Sequence, residues 1–89
     1  MAGPARIRLG CEPVCEVCFD AERDEVVSRV HCHIDVGVPE GPAYMLTDLN
    51  SRNGTFVNRR RITAPVEMRS GDIVQLGRGG PEMKFKICD

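Results

Sequence analysis

The sequence predicts a small all-β domain, a sandwich or barrel of short antiparallel strands, on three observations. Its 89 residues make one domain and leave no room for a second. Nine glycines and six prolines punctuate the chain at short intervals, the spacing of turns between strands. Between them lie short runs in which apolar residues alternate with polar ones, placing every second side chain on one face.

Taken in order, the first candidate strand covers residues 6–9, behind a loose lead-in at residues 1–5. The second covers 15–19, where Val17 and Phe19 share a face, and the third 31–36, where Cys32 and Ile34 do. After a loop over residues 39–42 come 44–46, 55–58 and a short segment around Ile62. Residues 73–76 and 83–87 close the chain, the last with Met83, Phe85 and Ile87 on one side. Residues 21–34 compete as a helix, with Val26, Val27, Val30 and Ile34 at helical spacing behind Asp20 as a cap. β-Branched residues dominate that face, and only residues 21–25 favour helix, so a full helix is not expected there.

Composition narrows the function. One tyrosine, three phenylalanines and no tryptophan leave little to stack on bases. A net charge of -1 gives no bulk attraction to nucleic acid or anionic lipid, so neither nucleic-acid binding nor membrane insertion is expected. The charge is uneven: residues 1–45 carry four arginines against eight acids, and residues 46–89 carry eight basic residues against five acids. A local basic patch fits within that neutral whole. Five cysteines are an odd number, and no apolar stretch reads as a signal peptide or membrane span, which points to a cytoplasmic protein with reduced thiols.

Two loops carry chemistry. Asp48-Leu49-Asn50-Ser51-Arg52-Asn53-Gly54 is a run of turn formers between β-runs, ending in an Asn-Gly pair suited to positive φ. A tight tip there offers the Arg52 guanidinium and the Asn53 amide at low entropic cost. Ser28-Arg29-Val30-His31 enters a strand, and a serine hydroxyl beside an arginine, on a loop with free amides, is equipped to bind an oxyanion.

Gly10, then Ser28-x-x-His31, then Asn53-Gly54-Thr55-Phe56-Val57-Asn58, then Gly71-Asp72-Ile73-Val74-Gln75-Leu76-Gly77 resemble the forkhead-associated (FHA) domain in order and spacing, over roughly residues 6–87. The phrasing looks most like bacterial members. The resemblance implies a two-sheet antiparallel β-sandwich, related to SMAD domains, with recognition loops at one end, formed by residues 6–89. It implies binding of a threonine-phosphorylated protein or peptide in a Ser/Thr kinase pathway, without a cofactor. Ser28 and Arg29 would contact phosphate, Arg52 would sit beside the phosphate or the peptide, and Asn53 would fix the peptide backbone. His31 and Asn58 would buttress the loops from inside, and Gly10 and Gly54 would supply turn geometry.

Two departures from the family pattern matter. An arginine that binds phosphate normally follows the glycine at position 10; here the residue is Cys11, which offers no cationic fork. Weakened or altered phosphothreonine binding is therefore expected, with Arg6, Arg8 or Arg29 as substitutes; the alternative is a phospho-independent interaction or oligomerisation scaffold. A family strand expected before the one ending at Gly10 has only residues 1–5 to supply it, so either that strand is missing or the chain is a trimmed piece of something longer. The Arg59-Arg60-Arg61 run is read as a solvated hairpin tip, with a basic rim as its alternative.

Other chemistries fare worse. Cys15-x-x-Cys18 with His31-Cys32-His33 has metal-ligand spacing, but residues three apart on a strand point to opposite faces, so no metal is expected. No nucleotide-type glycine loop, nucleophile–base spacing or apolar carboxylate pair supports an enzyme.

Overall fold

The structure, a computed structural model, describes residues 5–20, 22–23, 25–37 and 44–86. Nine strands follow one another: β1 (Ala5–Gly10), β2 (Val17–Cys18), β3 (Cys32–Val36), β4 (Tyr44–Asp48), β5 (Thr55–Val57), β6 (Arg60–Arg61), β7 (Val66–Glu67), β8 (Ile73–Leu76) and β9 (Glu82–Lys84). They form two sheets, ordered β2-β1-β3-β4-β7 and β6-β5-β8-β9. This is the predicted two-sheet sandwich, antiparallel except for the short β1–β2 pair, which is parallel. No helix occurs among the described residues, so the helical spacing in 21–34 resolves instead into turns followed by β3.

The core follows from the alternation. Leu9, Ile34 and Leu46 from one sheet meet Val74 and Leu76 from the other, with Cys32, Val27 and Met68 completing the cluster. β3 is the exception to simple alternation, because Cys32, His33 and Ile34 are all buried. It is the central strand of its sheet, and Arg8 and Thr47 flank His33 in register on the outer face.

Three sequence expectations change. β2 is only Val17–Cys18, within the five-residue run expected. β7 was not foreseen; it exists because Met45 and Leu46 pair with Glu67 and Val66, which seats Met68 in the core at 2% exposure. Ala5 joins β1 rather than the lead-in, whose remaining residues, like Ile87 and the 39–42 loop, lie outside the described residues.

Register places the ends of five strands at one pole. Leu9 pairs with Cys32 and Cys32 with Asp48, while Thr55 pairs with Leu76. The loops leaving Gly10, entering Cys32, joining Asp48 to Thr55 and leaving Leu76 therefore all open there.

Candidate functional site

At that pole lies a depression of about 300 Å³ lined by Cys11, Ser28, Arg29, Arg52 and Asn53, together with Glu25, Val26 and Val27. The four residues expected to contact a ligand thus reach one depression from loops that precede different sheets. Ser28 and Asn53 are 25 positions apart in sequence (53 minus 28) yet share this rim.

Backbone contacts set the first loop. The Cys11 amide donates to the Ser28 carbonyl at 3.2 Å, and the Glu12 amide to the Arg29 carbonyl at 3.0 Å. Gly10 passes so close beneath this loop that a Cβ there would collide with the Arg29 carbonyl oxygen and the Val30 Cα. Glycine is required here by close approach, not by φ.

Beside a backbone bond from the Leu49 amide to the His31 carbonyl at 3.1 Å, three hydrogen bonds through side chains tie the 25–31 loop to the 48–55 loop. The Arg52 amide donates to Ser28 Oγ at 3.2 Å, and Asn53 Nδ2 donates to the Val26 carbonyl at 2.9 Å. His31 Nδ1 accepts the Ser28 amide at 3.0 Å while Nε2 meets the Gly54 carbonyl at 2.7 Å. Because Nδ1 is an acceptor, the neutral ring carries its proton on Nε2 and donates it to Gly54. His31 is fully buried, and burial pushes its pKa below the ordinary value, outweighing the Gly54 carbonyl and the Asp48 carboxylate that favour the cation. The Ser28 amide is thus not free for a ligand, contrary to the sequence expectation, whereas the Ser28 hydroxyl hydrogen and Asn53 Oδ1 remain available.

The second loop is shaped by Asp48, which accepts the Ser51 amide and hydroxyl and, at 2.7 Å, the Thr55 hydroxyl. Burial raises the carboxyl's pKa, but these donors together outweigh it and leave Asp48 below its ordinary value. Gly54 takes φ 84°, and Asn50 takes φ 56°, so the turn runs through the left-handed region at both ends.

The cations divide into two groups. Arg6 pairs with Asp35 at 2.8 Å and Arg8 forks onto Glu16 at 3.2 and 2.9 Å, both on the outer face of the first sheet. Arg8 holds the Glu16 pKa down to about 2 through its guanidinium and then its amide. Neither arginine lines the depression, so of the substitutes considered for the family arginine only Arg29 does. Arg29 and Arg52 are exposed, and neither guanidinium has a partner among the described residues. The thiol of Cys11 instead reaches the Val27 carbonyl at 3.6 Å, bracing the loop.

Asn58 lies elsewhere. It is exposed, takes φ 50°, and uses its amide to bond Asp72 and the Ile73 amide, each at 3.0 Å. It braces the turn at the far end of β5, not the loops at the rim. Conversely, Arg61 was assigned to the hairpin tip, yet its Nε lies 2.7 Å from where a Gly54 Cβ would stand, beside the rim. Glu25 was also missed as a lining residue; no local pattern marks the direction of a loop side chain. Cys15 is buried with its thiol on the Arg29 carbonyl, whereas Cys18 is exposed. No helix among the described residues is long and apolar enough to cross a membrane.

The FHA domain family model matches residues 7–77. The FHA domain-containing protein FhaB of Mycolicibacterium smegmatis is 30% identical over 83 residues, 89% of this chain and 52% of FhaB. Protein FraH of Nostoc sp. is 39% identical over 57 residues, 62% of this chain and 19% of FraH. The chain thus spans about half, or less, of the curated relatives it matches. A solved structure from work on phosphothreonine-dependent FHA domain interactions superimposes with a TM-score of 0.78 at 25% identity, covering 99% of this chain and 82% of that one. Mycobacterium tuberculosis EmbR in complex with a low affinity phosphopeptide gives 0.76 at 31% identity, covering 93% of this chain and 20% of that one.

Proposed function

The chain belongs to the FHA domain family, and from that membership we propose that it is a phosphothreonine-peptide-binding module whose phosphate contact is weakened by Cys11. The observation that carries the reading is the shared depression holding Ser28, Arg29, Arg52 and Asn53. The two unpaired guanidiniums supply charge-assisted bonds to a phosphate. The Ser28 hydroxyl adds a directed donor, and Asn53 Oδ1 accepts a peptide N–H while Nδ2 stays on Val26. The solved relatives named above, one of them bound to a phosphopeptide, support the same ligand class. Such a module makes and breaks no bond; it reads the product of a Ser/Thr kinase.

Cys11 sets the strength. A lost arginine–phosphate contact costs about 2–4 kcal/mol, roughly 30- to 700-fold in affinity. With Arg6 and Arg8 held by Asp35 and Glu16, only Arg29 of the three substitutes is placed to replace part of it. The test is titration with phosphothreonine, phosphoserine and unmodified forms of one peptide, repeated on Cys11→Arg. Phosphothreonine should bind best, and the substitution should tighten it within that range. The second reading, a phospho-independent interaction scaffold, is favoured by Cys11 and by the acid Glu25 in the lining; equal affinity for all three peptides would establish it instead.

A further inference from the structure

Six serine and threonine hydroxyls lie along the chain, on Ser28, Thr47, Ser51, Thr55, Thr63 and Ser70. The residues before them separate them by charge. Only Thr55 and Thr63 follow an arginine by three positions, Arg52 and Arg60, and Thr63 alone also follows one by two, Arg61. Burial then divides that pair. Thr55 is fully buried with its hydroxyl on Asp48, whereas Thr63 is exposed and its hydroxyl has no hydrogen-bond partner among the described residues. Its setting is open. β6 pairs only with β5 among the described residues, and that ladder ends where the Ile62 amide meets the Thr55 carbonyl at 2.9 Å. Thr63 then stands in the short loop before β7. Arg60 and Arg61 are exposed, and neither guanidinium has a hydrogen-bond or ion-pair partner among the described residues. The two arginines and Thr63 line one depression of about 330 Å³, and Asp48 shares a second depression with Thr63.

We propose that Thr63 is a phosphorylation site for an arginine-directed Ser/Thr kinase, one whose substrate cleft carries carboxylates. Such a cleft reads the charge ahead of the acceptor, and β6 presents Arg60 and Arg61 there on extended backbone. In the transfer, Thr63 Oγ bonds to the γ-phosphorus of a nucleoside triphosphate. The bond from that phosphorus to the β–γ bridging oxygen breaks, the nucleoside diphosphate leaves, and the hydroxyl proton passes to the kinase's carboxylate base. The same arginines then serve the product. A phosphate on Thr63 carries about two negative charges, and Arg60 and Arg61 offer it charge-assisted hydrogen bonds within their shared depression, while Asp48 repels it from the other. Arg60 and Arg61 thus recruit the kinase first and seat the phosphate afterwards. Thr63 does not line the depression that holds Ser28 and Arg29, so the site stands whatever that depression binds.

Incubation of the full chain with ATP and the catalytic subunit of cyclic-AMP-dependent protein kinase, read by intact mass and fragmentation, tests this. One phosphoryl group should be added, and it should map to Thr63. Thr63→Val should abolish the addition, and Arg60→Ala combined with Arg61→Ala should slow it about ten-fold or more. All three side chains are exposed, and circular dichroism checks that each variant folds. The phosphorylated chain should melt higher than the unmodified chain at low salt, with the difference shrinking at high salt as the ion pairs are screened. No incorporation into the folded chain, incorporation at another residue, or a rate indifferent to the two arginines overturns the proposal. Equal melts at low salt overturn the seat assigned to the phosphate.

Discussion

Between the Ser28 amide and the Gly54 carbonyl, the His31 ring has room for one proton, on Nε2. A second proton on Nδ1 would face the Ser28 N–H, donor against donor, at the base of the rim. Burial lowers the His31 pKa from 6.5, so below that pH the unfolded chain takes up the proton more readily. The His31 contribution is therefore complete above pH 6.5 and declines as the pH falls beneath it. His33 shifts the same way, burial being the first cause and Arg6 the second. Denaturant midpoints across this range should fall with acid, and His31→Gln should be less stable at neutral pH with a shallower pH dependence. An unchanged pH dependence in that variant would remove His31 from the account. Gly10→Ala tests the close approach to Arg29: displacing that carbonyl should cost about 1–3 kcal/mol and disturb the Ser28 loop. Ser28, Arg29, Arg52 and Asn53 could be singled out from sequence because their side chains carry the chemistry. The Val26 carbonyl could not, since a backbone group has no signature there.

At the scale of elements, the 48–55 loop is organised around one carboxylate. Thr55 is fully buried, and Asp48 is the acceptor for its hydroxyl. Asp48→Ala should strand that hydroxyl and cost about 1–3 kcal/mol. In a Thr55→Val background the same change should cost less, because the stranded group is gone; equal costs in a double-mutant cycle would show that the bond does not matter. The strands themselves were legible where alternation runs for several residues, as in β1, β3 and β8. β7 was not, because two residues carry no period and its existence depends on β4 lying alongside. β2 was legible as a strand but not as a parallel one, since direction is decided by the path of residues 11–16 over the 27–29 loop. Asn58 shows the limit of reading roles from a motif: its left-handed turn sends it to Asp72, away from the rim.

For the molecule as a whole, the rim belongs to both sheets. His31 leads into the first and Gly54 into the second, joined across 2.7 Å. A ligand spanning Ser28 and Asn53 should stabilise the fold by mass action, about 2.7 kcal/mol at a hundred-fold excess over its dissociation constant. Thermal melts with phosphorylated and unmodified peptide should differ accordingly; identical melts would count against phosphate recognition. The sandwich was legible because punctuation and alternation agree along the chain. The outer edge of β9, unpaired among the described residues, was not, because an edge is a property of the assembled sheet. One consequence follows from the direction of the first and last strands in the chain. β1 runs toward the rim and β9 away from it, so Ala5 and Lys86 both lie near the opposite pole. Both ends of the described chain thus stand behind the molecule, and neither Ala5 nor Lys86 crowds the rim.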